Sequence, residues 1–92
     1  MKSPFKKMLR LLESKMSTIF RQNGYRFFFY SNDYTPPHIH VEKGRGTAKY
    51  LLNDATLVGS RRFNSNELGE MRKIILENLY MFKDKWDEYF KD

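Results

Sequence analysis

The chain has 92 residues, 40% of them apolar and 16% aromatic, which fits one small domain and is too short for a two-domain enzyme. It has no cysteine, which excludes disulfides and thiolate zinc sites and suits a reducing cytoplasm; no apolar run approaches the ~20 residues of a membrane span. The net charge of +6 is uneven: residues 1–31 carry seven bases against one acid, residues 32–63 five against three, and residues 64–92 five against seven.

Residues 1–15 read as a short basic amphipathic helix. Ser3 is the N-cap, Pro4 opens the first turn, and Phe5, Met8, Leu9 and Leu12 share one face. This segment carries +4 of the charge, leaving +2 for residues 16–92, which form a single domain. There, Asn23-Gly24 joins Thr18–Arg21 to Tyr25–Tyr30 as a hairpin, because both residues tolerate the positive φ of a tight turn. Alternation puts Tyr25, Phe27 and Phe29 on one face of the second strand and Arg26, Phe28 and Tyr30 on the other, so both faces need cover. Asn32 to Pro37 is a stiff loop, since neither Pro36 nor Pro37 can donate to a ladder.

Strands at His38–Glu42, Thr47–Leu52 and Ala55–Val58 complete an antiparallel meander of four to five strands, turned by Gly44-Arg45-Gly46 and by Asn53-Asp54. Asn64 with Glu67 fits a capping box. Leu68, Met71, Ile75, Leu79, Phe82, Trp86 and Tyr89 then fall on one stripe, which predicts one long helix. The expected fold is α+β: a short N-terminal helix, the meander, and the long C-terminal helix packed on one face.

The only two histidines, His38 and His40, lie two apart in one strand with Glu42 two further on, so period-2 geometry places all three on one face. Such a pair can act as general base and general acid on a phosphodiester, as in RNA cleavage by the 2′-hydroxyl. Lys49, Arg26, Arg61 and Arg62 are the candidate phosphate-binding cations, the last two just before a helix N-terminus that favours anions. An alternative is a divalent-metal site at His38, His40 and Glu42, for which the chain offers neither a further histidine nor a cysteine. The aromatic run Phe27 to Tyr30 serves the core before base stacking, and the acidic C-terminal helix has the wrong sign for a DNA groove.

From Met16 onward the chain resembles the bacterial domain of unknown function 4160 family. The resemblance rests on Gly24-Tyr-Arg-Phe-Phe-Phe-Tyr-Ser-Asn32 and above all on Pro36-Pro-His-Ile-His-Val41, with Ala48-Lys-Tyr50, Phe63-Asn64 and Trp86 in support. Residues 1–15 fall outside it. The resemblance implies a one-domain protein, often encoded beside another small protein in pairs suspected to be toxin–antitoxin modules, with Arg26, His38, His40 and Lys49 as marked positions. The leading expectation is therefore a cytoplasmic, toxin-like protein acting on RNA: a metal-independent ribonuclease with His38 and His40 as the acid–base pair and no cofactor. Its expected partners are the neighbouring gene's small protein, RNA and a second copy of the chain, with no membrane. The alternative from another class is a non-catalytic binding module, antitoxin-like or regulatory.

Overall fold

The computed structural model describes residues 16–91; the helix expected over residues 1–15 lies outside them. Five strands form one antiparallel sheet in chain order: β1 (Met16–Gln22), β2 (Tyr25–Tyr30), β3 (His38–Lys43), β4 (Gly46–Leu51) and β5 (Leu57–Arg61). Two helices follow, α1 (Ser65–Glu77) and α2 (Leu79–Tyr89). None of the described helices is long and apolar enough to cross a membrane.

The β1–β2 hairpin turns on Asn23 (φ 53°) and Gly24 (φ 82°), the left-handed pair that its sequence predicts. The last strand starts later than expected. Asp54 accepts hydrogen bonds from the backbone N–H and the hydroxyl of Thr56, and Ala55, at φ 58°, turns its methyl into the core. This local side-chain bonding holds the turn open through Thr56, so β5 begins at Leu57.

The capping box forms: Glu67 N–H donates to Asn64 Oδ1 at 2.8 Å and Asn64 N–H to Glu67 Oε1 at 2.9 Å. The single long helix, however, is two helices separated at Asn78. Its φ and ψ of −120° and 19° leave the helical region, and its Nδ2 donates to the Ile74 carbonyl at 2.8 Å. The Asn78 N–H is at the same time shared between the Ile74 and Ile75 carbonyls at 3.1 and 3.2 Å, so the side chain supplements the backbone bond at the break and caps the end of α1. The apolar stripe continues across the break, which is why its spacing reads as one helix.

Tyr25, Phe27 and Phe29 of β2, Ile39 and Val41 of β3 and Tyr50 of β4 face the helices, where Met71, Ile75, Phe82 and Trp86 complete the core. Burial of each such side chain contributes roughly 1.5–3 kcal/mol. No described helix covers the opposite face. Phe28 is nevertheless only 2% exposed there, because Arg26 lies 4.4 Å above its ring, His40 stacks on it at 5.4 Å and Tyr30 meets it edge-on at 5.2 Å.

Candidate functional site

The site begins where the stiff loop becomes β3. The Pro37 carbonyl accepts from Leu52 N–H at 3.0 Å, which fixes the start of the strand, and the His38 ring folds back so that Nδ1 lies 2.9 Å from the Pro36 carbonyl oxygen. A carbonyl can only accept, so Nδ1 carries the proton. His38 is 4% exposed and packs against Trp86 of α2 at 5.2 Å. His40 is half-buried on the outer face between Phe28 and Tyr30, its ring centroid 5.0 Å from that of His38.

Asp33, from the loop, reaches both rings. Its Oδ1 lies 3.1 Å from His38 Nε2, and both of its oxygens lie 3.2 Å from His40 Nε2. Two bonds to Tyr30 hold it there: the Tyr30 N–H donates to Oδ2 at 2.9 Å, and Asp33 N–H donates to the Tyr30 carbonyl at 3.1 Å. Burial acts to raise the Asp33 pKa, but the His38 and His40 rings and the Tyr30 N–H together outweigh it and hold the carboxyl well below the usual carboxylate range. One ring nitrogen is left over. His38 Nε2 is buried, and its close contact with Asp33 is not aligned as a hydrogen bond.

Lys49 stands directly across the β3–β4 ladder from His40, and among the described residues no carboxylate pairs with it. It borders two shallow depressions. One, of about 470 Å³, is bounded by Phe28, Tyr30, His40 and Arg61; the other, of about 600 Å³, by Asp33, Tyr34, Pro36 and His38.

Of the other sequence candidates, Glu42, Arg26 and Arg62 separate from this group. Glu42 accepts from Arg26 Nε at 2.9 Å and lies 2.8 Å from Arg26 Nη2, while Arg26 Nη1 donates to Thr18 Oγ1 at 2.9 Å. Arg26 and Glu42 thus satisfy each other, and the acid that joins the histidines is Asp33. Arg62 adopts φ 60° and leaves the strand, and the α1 N-terminus beside it is filled by its own capping box. Arg61 remains on β5 opposite Thr47, on the outer face. Asp33 has no motif of its own in the sequence; its one signal is its place in a proline-stiffened loop that ends directly at His38.

A five-stranded meander backed by two helices, with a His–Asp–His cluster at the rim of its open face, is a small α+β domain with a polar strand-face site. Residues 24–87 match the family model described as Domain of unknown function (DUF4160), and the chain belongs to that family. The match runs from the first hairpin turn into α2 and includes Asp33, His38, His40, Lys49 and Arg61. No curated protein and no solved structure matches the chain.

Proposed function

We propose that the open face of the sheet binds the phosphates of an RNA strand and cleaves it there, as the toxin-like member of a two-gene pair. Lys49 carries this reading. It lies between the two depressions, and the nearby carboxylates are already committed, Asp33 to the histidines and Glu42 to Arg26. The face therefore offers uncompensated positive charge from Lys49 and Arg61 to a polymer that can lie across a shallow surface. In the reaction, the 2′-oxygen forms a bond to phosphorus, its proton passes to the Asp33–His38–His40 cluster, and the bond to the 5′-oxygen breaks as that oxygen takes a proton from water. The products are a 2′,3′-cyclic phosphate and a 5′-hydroxyl, and Lys49 offsets the charge that builds on the phosphorane.

A second reading has its own support. His38 is buried and both imidazoles are turned onto one carboxylate, so neither stands free to bracket a phosphate, and this favours RNA binding without cleavage. Incubating the purified chain with single-stranded RNA and analysing the termini separates the two. Cleavage to cyclic phosphate ends, lowered at least about tenfold by Lys49→Ala and by His40→Ala, supports the catalytic reading. Binding without cleavage, with a salt dependence that flattens by about one counterion in Lys49→Ala, supports the binding module. Neither binding nor cleavage ends both.

A further inference from the structure

We infer that Asp33, His38 and His40 hold one divalent transition-metal ion, with a remaining coordination position open to the depression beside Tyr34 and Lys49. The starting point is the tautomer of His38. Its Nδ1 proton is spent on the Pro36 carbonyl, so in the neutral ring Nε2 presents a lone pair 3.1 Å from a carboxylate oxygen. Two acceptors at that distance repel unless a cation lies between them. A proton on Nε2 would turn the contact into an ion pair with Asp33, but the N–H would still point out of line with the carboxylate, so the buried nitrogen would make no aligned hydrogen bond. A metal ion does. It bonds along the lone pair, and its other ligands sit beside the nitrogen, not in line with it.

The contacts between Asp33 and the two rings, 3.1–3.2 Å, are those of neighbouring donors on one ion, and the ligand atoms of all three residues lie within 4.8 Å of one another, so a small approach of the two rings completes the set. Donors around a tetrahedral ion with bonds of ~2.0–2.1 Å stand roughly 3.3 Å apart, close to the contacts that Asp33 makes with both rings.

The surroundings are those of a metal site. The Pro36 carbonyl fixes the tautomer of one ligand, the Tyr30 N–H holds the carboxylate, and Trp86 and Phe28 pack the two rings in place. Two imidazoles and one carboxylate suit zinc, iron, cobalt or nickel in preference to calcium or magnesium. Three protein ligands with an open position is the arrangement of a catalytic site, not of a closed structural one.

The ion site stands on this geometry alone; its part in catalysis rests on the RNA reading above. On that reading Asp33, His38 and His40 would hold the ion, and a hydroxide on it, its water's proton already released to solvent, would take the proton of the 2′-hydroxyl and become water. That replaces a metal-independent pair of imidazoles with a metal centre.

The test is titration of chelator-stripped protein with Co²⁺, followed by visible absorbance, and with Zn²⁺, followed by calorimetry, in the absence of RNA. One ion per chain at micromolar affinity or tighter is expected, weakened at least about tenfold by Asp33→Asn and by His40→Ala. His38→Ala removes a ring packed on Trp86, so the two other variants, each checked for retained circular dichroism, decide the matter. Absence of saturable equimolar binding, or binding in both variants equal to the wild type, overturns the inference. Ion binding without RNA cleavage leaves the ion site standing and removes the catalytic reading; RNA cleavage by a chain that binds no ion does the reverse.

Discussion

The Arg26 guanidinium lies 2.8 Å from the Glu42 carboxylate and 4.4 Å above the Phe28 ring, so one side chain both neutralises an acid and roofs an aromatic on the open face. The two residues are direct partners in the β2–β3 register, which brings them together without a bend in either strand. The Arg26 side chain is 12% exposed, but that of Glu42 is 36% exposed, so solvent screens part of the attraction. Arg26→Met is expected to cost about 1–2 kcal/mol in urea unfolding, and Glu42→Gln less, because it keeps an oxygen that can accept from Arg26. Equal losses from the two would show that packing over Phe28 contributes nothing.

Gly46 and Phe63 are a second close pair. A methyl group at Gly46 would overlap the Phe63 ring, which packs edge-on against Tyr25 at 6.1 Å. Gly46→Ala is therefore expected to lower stability by about 1–3 kcal/mol as the ring is displaced. The same substitution in a Phe63→Ala background should cost much less, a coupling that a double-mutant cycle measures. An unchanged cost would place the strain elsewhere in β4.

Much of this architecture is legible in the sequence because it depends on local chemistry. Asn23-Gly24 defines a turn by its own φ values, Asn64 and Glu67 cap a helix by reaching three residues, and alternation in β2 separates core from open face. What local pattern misses depends on competition or on return of the chain. The break at Asn78 lies in one residue's backbone angles and a side-chain bond to the Ile74 carbonyl, which a stripe of apolar residues cannot register. Glu42 follows the histidines at the right period, yet its partner is set by the neighbouring strand, where Arg26 stands. Asp33 reaches the same histidines from a loop whose path only the folded chain defines.

The Asn64 cap offers a direct measure of one such local signal. Asn64→Ala removes the acceptor of the Glu67 N–H and is expected to cost about 1 kcal/mol, while Asn64→Asp should retain most of the stability because its carboxylate can accept the same bond. Thermal unfolding of the two variants decides it; equal losses in both would mean that the cap does not hold α1.

Tyr25 gives the fold an alkaline limit. It is 1% exposed and its hydroxyl donates to Glu70 Oε1 at 2.8 Å. Burial first, and then the bond to Glu70 and the negative charge of Glu70, push the phenol up from 10.0 to about 12. The folded state therefore keeps a proton that the unfolded chain releases. Its contribution to stability is fully present below pH 10 and is lost as the pH rises towards about 12. Over that window the unfolding free energy is expected to fall by at most about 1.4 kcal/mol per pH unit on this account. Tyr25→Phe has no proton to release, so although it lacks the Glu70 bond and starts less stable, its stability should fall less steeply from pH 10 to 12 in urea unfolding. Parallel slopes for the variant and the wild type would show that another group sets the alkaline limit.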